Sequence, residues 1–353
     1  MNLTINLARF GLVLSIFMTG CMQDKRTGTA SEKQPVAPPN KGNFVQYVAV
    51  PESARAPDMP AKGYLLDDLG DGLYGVRNGS SNSMFLVTSV GVVVVDAGNP
   101  NYTGKYVMQA IREVTDLPIT HFIYSHSHAD HVSGAAMFKS ANVSGTSPQY
   151  IAHERAAERL RRMNDPRRPI PTVTFPGDHF VLEVGGSQLI LDYHGDLHSP
   201  GDLFIYAPKQ KVLMLVDVIA PRWAPYFKLG HTPDVPRFME VTKQILAYDF
   251  QTFIGGHVGW YGTRADVEEI GRYLDDLMAA CRKAYAEEPN LPEVDPKNSW
   301  GLSQTYYEGT ARRCTELMPT SWLTKLGGAD VFLQDNAHSL IYSLLTDYPP
   351  ATP

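Results

Sequence analysis

Residues His126 to His131 constrain this chain more than any other stretch. His126-Ser127-His128-Ala129-Asp130-His131 sets four metal-binding side chains in six positions, directly after an apolar run that reads as a strand. An extended backbone alternates its side chains, so His126 and His128 point to one side and can grip a single ion. Gly134-Ala135-Ala136-Met137-Phe138 reads helical, so the chain turns at Asp130 and His131, which diverge and can serve a second ion. Imidazole with carboxylate suits Zn(II) first, with Mn or Fe as alternatives. Isolated loop histidines are usually structural, but four ligand-type residues in six positions are not explained that way.

Two ions need more ligands than these, and further ones stand after apolar strands downstream. His198 follows Gln188-Leu189-Ile190-Leu191, Asp217 follows Val212-Leu213-Met214-Leu215-Val216, and His257 follows Thr252-Phe253-Ile254-Gly255-Gly256. Strand ends feeding Gly-rich loops are where α/β folds keep their sites. In this order of ligands, and in the glycine-flanked strand Val92-Val93-Val94-Val95-Asp96-Ala97-Gly98, the chain resembles the metallo-β-lactamase superfamily over residues 63 to 270.

The resemblance implies a four-layer αβ/βα sandwich of α+β type, with the site at one edge. It implies one ion held by His126, His128 and His198, and a second held by Asp130, His131 and His257. Asp217 would bridge the two, and Asp96 would orient the ligand loop by hydrogen bonds. The cofactor expected is a pair of Zn(II) ions per chain. The activity implied is attack of a metal-bridging hydroxide on a carbonyl, with Asp130 aiming the nucleophile.

Lactones, esters and related acyl compounds are the expected substrates. The tyrosine that acyl-homoserine-lactone hydrolases carry three residues beyond the bridging aspartate is replaced by Ala220, and no basic cluster resembles the glutathione site of glyoxalase II. Competing readings are β-lactamase-type amide hydrolysis, a mononuclear iron persulfide dioxygenase, and a metal-binding lipoprotein without catalysis. Asp217 stands where specialised β-lactamases carry cysteine or serine, and the intact ligand set disfavours both other readings. Trp223, Tyr226, Phe227 and His231, with Trp260 and Tyr261 after His257, are candidate pocket residues for an apolar substrate. Arg222 and Lys228 beside them suggest that the substrate also carries some negative charge. His121, His153, His179 and His338 read as structural, and His194 stays outside the ligand set.

The chain has 353 residues and a net charge of -6 without charged runs, so it offers no basic footprint for nucleic acid. A weakly positive start and the apolar stretch Phe10 to Thr19 read as a signal peptide over residues 1–20. Met18-Thr19-Gly20-Cys21 resembles the lipobox of bacterial lipoproteins, with Cys21 acylated and Met22 favouring the outer membrane; ordinary signal cleavage, giving a soluble periplasmic or secreted protein, is the alternative. The Pro-, Lys- and Ser-rich stretch to residue 62 reads as a flexible tether. The catalytic domain is expected over 63–288, with helices at about 235–247 and 264–286. A helical extension follows over 289–353, with helices over Thr320 to Leu326 and Asp330 to Leu345. Cys281 and Cys314 are expected to pair in an oxidising periplasm, the alternative being two buried thiols. The small-molecule substrate and the oligomeric state are not specified by these features.

Overall fold

A computed structural model describes residues 46–140, 145–258, 260–287 and 291–348. The signal stretch and Cys21 lie outside the described residues. The described residues from Tyr47 onward form one compact unit.

Its first sheet runs in chain order through β1 (Leu65–Asp68), β2 (Leu73–Arg77), β3 (Asn82–Val87), β4 (Val92–Val95), β5 (Ile119–Ile123), β6 (Gln149–His153) and β7 (Val173–Phe175). It is antiparallel up to β4 and parallel from β4 to β7. The second sheet has the order β13-β12-β11-β10-β9-β8. Its strands are β8 (His179–Val184), β9 (Ser187–Asp192), β10 (Phe204–Ala207), β11 (Val212–Met214), β12 (Thr252–Ile254) and β13 (Tyr261–Gly262). Only the β11–β12 pair is parallel there.

The side-chain period of two explains why the central strands are apolar throughout. In β4, Val93 and Val95 enter the core between the sheets, while Val92 and Val94 enter an outer core beneath α1 (Lys105–Val114). Beyond β11 the alternation persists: Met214 and Val216 face the inner core, Leu213 and Leu215 the opposite outer one. A strand covered on both faces has no polar side, so its sequence loses alternation. The resulting four layers match the fold expected from the sequence.

The remaining helices are α2 (Ala129–Val132), α3 (Glu154–Met163), α4 (Phe227–His231), α5 (Val235–Met239), α6 (Val241–Leu246), α7 (Arg264–Ala286), α8 (Ser299–Leu317) and α9 (Leu333–Thr346). Element α4 is wound the wrong way: Lys228, Leu229, Gly230 and His231 all have φ between 52° and 68°.

The expected tether ends earlier than residue 62. Ala54 is fully buried, and the carbonyls of Ser53, Ala54 and Arg55 accept from Arg222, Trp223 and Trp260, so this polar stretch is held by its backbone rather than its side chains. The expected helix over Thr320 to Leu326 is a 3-10 segment over Thr320–Thr324, and α8 lies within the expected helical extension, between Pro296 and Pro319.

Cys281 on α7 is bonded to Cys314 on α8, both fully buried and 33 residues apart. Closing a loop of that length restricts the unfolded chain, so Cys281→Ser should cost roughly 3–4 kcal/mol. Chemical denaturation should show a lower midpoint for the variant, with the reduced parent shifted similarly; identical midpoints would mean that the pair contributes nothing.

Candidate metal centre

The metal-type side chains sit on loops that leave one edge of the two sheets. Residues 124–131 follow β5, His198 follows β9, Asp217 follows β11, His257 follows β12, and Asp96 follows β4. His126, His128, His198 and Asp217 form one cluster of donor atoms, and Asp130, His131, His257 and Asp217 form another, with the atoms of each within 4.8 Å of one another. Asp217 belongs to both. Its Oδ2 lies 3.1 Å from His131 Nε2, 3.5 Å from His198 Nε2 and 3.7 Å from His126 Nε2, and its Oδ1 lies 3.3 Å from His257 Nε2.

Divalent metal ions fit these groups. His198 Nε2 faces His128 Nδ1 at 2.8 Å and His131 Nε2 faces His257 Nε2 at 3.1 Å. Ligands of a tetrahedral ion at 2.0–2.1 Å stand about 3.3 Å apart, close to this spacing. The buried His126 Nε2 has no hydrogen-bond partner, the pattern left by an atom built to hold an ion. The outer nitrogens are anchored: His198 Nδ1 donates to the Gly230 carbonyl and His257 Nδ1 to that of Ser80, which turns each Nε2 lone pair inward.

The charge states agree. Burial lowers His126 well below its ordinary value and His128 to about 4, so both are neutral ligands at physiological pH. Burial would raise Asp217, but the surrounding imidazoles, His131 foremost, outweigh it and hold the carboxyl well below the usual carboxylate range. Burial would lower His257, yet its bonds to Asp130 and Asp217 raise it to about 11. An ion arriving at that group must displace a proton.

Asp96 is fully buried and binds Ser125 twice, through the backbone N at 3.0 Å and Oγ at 2.6 Å; Ser125 Oγ in turn lies 2.9 Å from His126 Nδ1. Burial pushes Asp96 up to about 6, with His131 and Ser125 opposing. Other anchors lack a metal-type signal in the sequence. Asp202, 1% exposed, accepts from the backbone N–H groups of Leu197, His198 and Ser199 and so fixes the His198 loop. Its signal is a turn acid four residues after a ligand. Asn82 on β3 donates to the Gly255 carbonyl, and its N–H to that of Gly256, tying the His257 loop to the opposite sheet. Arg168 donates to the Ser127 carbonyl. Gly256 makes room: a Cβ there would lie 2.0 Å from Asp217 Oδ1.

A cavity of about 660 Å³ opens over these groups. His128, Asp130, His198, Asp217 and His257 reach it, while His126 and His131 are buried behind them. Of the aromatic candidates, Trp223, Tyr226 and His231 line it, but Phe227, Trp260 and Tyr261 do not. Phe227 packs on His231 and Phe332, Trp260 is held to Arg55 beneath Arg222, and Tyr261 is drawn under Arg77 at the sheet edge. The two cations expected to face the substrate are also elsewhere. Arg222 pairs with Asp266 at 2.9 Å, and Lys228 lies over the Phe227 ring, exposed.

The sequence model of the metallo-beta-lactamase superfamily matches residues 76–257. The chain belongs to this superfamily. Its curated relatives are distant. The alpha subunit of 2,4-dinitroanisole O-demethylase from Nocardioides sp. (strain JS1661) is 26% identical over 216 residues, 59% of this chain and 61% of that protein. This chain therefore spans less than two thirds of that relative. Metallo-beta-lactamase IND-1 from Chryseobacterium indologenes is 25% identical over 195 residues, 54% of this chain and 77% of that one. Among solved structures, the metallo-beta-lactamase from Pontibacter korlensis superposes with a TM-score of 0.51 at 19% identity, covering 60% of this chain and 99% of the other, a likeness of fold alone. The superfamily fold and the His/Asp groups together make this a chain with a hydrolase-type scaffold and a divalent-metal site.

Proposed function

We propose that the protein is a dinuclear, zinc-dependent hydrolase of a small lactone, ester or related acyl compound. The observation that carries the reading is the open face of the site. Structural metal centres are closed by protein ligands, whereas here five of the seven metal-type residues reach a cavity large enough for a small molecule. Two divalent ions bound there would lower the pKa of water towards neutrality and polarise a carbonyl oxygen. The protein's part is to hold and aim. Asp130, with 58% of its side chain exposed, can accept a proton or hydrogen bond from water at the cavity floor. Asp217 supplies the charge that balances the two clusters, and Asp96 and Asp202 keep the ligand loops in register.

A hydrolysis panel of lactones, aryl esters, thioesters, β-lactams and phosphodiesters on metal-replete protein tests this. The largest kcat/KM is expected on a lactone or ester, with β-lactams slow because Asp217 keeps a carboxylate where specialised β-lactamases do not. A β-lactam hydrolysed above about 10⁶ M⁻¹s⁻¹ would overturn that ranking. One iron per chain with thiol-dependent oxygen uptake would replace hydrolysis by dioxygenase chemistry.

A second reading is favoured by the aromatic rings of Trp223, Tyr226 and Phe332 around the cavity and by the name of the O-demethylase relative. It is hydrolysis of an activated aryl methyl ether to the phenol and methanol. Including 2,4-dinitroanisole in the panel separates the two readings.

The same proposal places the protein in the periplasm on an N-terminal lipid anchor at Cys21, with a small molecule rather than nucleic acid as its partner. No helix of the described residues is long and apolar enough to cross a membrane. Cys21→Ser should move the protein from the membrane fraction to the soluble periplasmic fraction. Retention in the membrane, or absence of palmitate labelling in the parent, would remove the anchor.

A further inference from the structure

The extension after residue 288 does more than brace the sandwich, because the turn before α9 builds part of the cavity wall. Gly328, Val331 and Phe332 line it together with the metal-type residues. They are fixed there by backbone pairing: Ala224 N–H donates to the Gly327 carbonyl at 3.0 Å, and Gly327 N–H to that of Arg222 at 2.9 Å. Trp223 lies flat on this strip, its Nε1 donating to the Ala54 carbonyl; a Cβ on Gly327 would sit 2.7 Å from the indole, so only glycine admits the ring. From α9, the fully buried Asn336 accepts from Leu229 N–H at 2.7 Å and donates to the Pro225 carbonyl at 2.9 Å. These bonds hold the left-handed α4, and with it His231, against the cavity. The wall is therefore a finished surface before any substrate arrives.

Its chemistry is one-sided. Among the described residues, the lining beyond the metal-type residues is Val218, Ile219, Trp223, Val258, Val331 and Phe332, with small residues between them and only Tyr226 and His231 as polar side chains. Neither arginine nor lysine is among these described lining residues. Arg222 is committed to Asp266 and Lys228 to the outside. Arg159 on α3 makes its charge felt at His128 without lining the cavity. We infer that the segment 327–332 makes the cavity selective for substrates whose acyl chain is neutral and apolar to its far end, excluding those with a distal carboxylate. This names the substrate class of the hydrolase reading and rests on it. A carboxylate pressed on Val331 and Phe332 loses water and gains no partner, which is unfavourable at any ionic strength.

The test uses metal-replete full-length protein and matched esters, 4-nitrophenyl hexanoate and the 4-nitrophenyl half-ester of hexanedioic acid, which differ only at the far end. The neutral ester should have a kcat/KM at least about 100-fold higher, and Val331→Lys should shrink that ratio at least tenfold by placing a cation in the wall. Equal or faster turnover of the half-ester overturns the inference, and loss of that turnover in Arg159→Gln would identify an anchor outside the cavity. Binding of 1-heptyl-4-nitrobenzene, which has neither an ester nor an ether bond, read as quenching of tryptophan fluorescence that disappears in Trp223→Phe, addresses the wall without turnover. Quenching with no hydrolysis of any ester keeps the apolar cavity and sinks the hydrolase reading. Hydrolysis with no preference does the reverse, and absence of quenching counts against the cavity.

Discussion

Asp130→Ala should leave a folded protein that turns over its best substrate roughly 10³-fold more slowly, or not at all. The side chain is more than half exposed and contributes no core contact, so the metal-free variant should melt as the parent does. What it loses lies at the cavity floor. Asp130 Oδ2 stands 3.4 Å from His257 Nε2 and 3.6 Å from His131 Nε2, so one carboxylate belongs to the second donor group and also faces the cavity. On the proposed hydrolase reading, removing it takes away a ligand and the group that orients the nucleophile. Steady-state kinetics beside circular-dichroism melting checks both halves. A rate within tenfold of the parent would end the assignment of Asp130 to the chemistry.

How far the site was legible without coordinates follows from where its information lies. That these His and Asp side chains converge was readable because metal chemistry needs particular side chains, and each stands in a short loop beyond an apolar strand. Fold class was readable for the same reason: Val92 to Val95 and Val212 to Val216 are continuous apolar runs that only a two-sided sheet can use. The wall of the cavity was not. Val331 and Phe332 look like any core residues, and their place is decided by hydrogen bonds between the Arg222–Ala224 and Gly327 backbones, which carry no side-chain signal. Arg222 and Lys228 misled because nearness in sequence to Asp217 says nothing about direction; a left-handed residue at Arg222, φ 66°, turns its side chain to Asp266. Asn336 stands over 100 residues from the loop it holds, beyond the reach of any local pattern. The bounds of α8 were not legible within the helical extension because the helix is weakly amphipathic, with Thr310, Ala311 and Cys314 as its buried residues.

On the dinuclear reading proposed above, Asp217→Asn should cost the protein one of its two ions. The backbone will not confound the result: Asp217 has φ 64°, and asparagine is among the side chains that best tolerate that region. The amide keeps the shape and removes the single negative charge that both donor groups share. Partners that merely orient a ligand are worth 10–100-fold in metal affinity, so loss of a shared ligand charge should weaken at least one ion by about 100-fold or more. Metal analysis after gel filtration, with chelator competition, should give about one tightly held ion per chain, the second group suffering more because His257 and His131 are left beside a neutral amide. Two ions held as tightly as in the parent would remove Asp217 from the shared position.

The core beneath the second sheet draws Leu213 and Leu215 from the strand preceding Asp217, Leu277 from α7, and Leu340 and Ile341 from α9 into one continuous cluster. A chain shortened at residue 288 would therefore not yield a smaller version of the same fold. It would lay open the underside of the strand that precedes the shared carboxylate, and would remove part of the cavity wall. Trimming the tail to simplify the protein, or grafting it onto a relative to transfer selectivity, has to move both sides of that seam together.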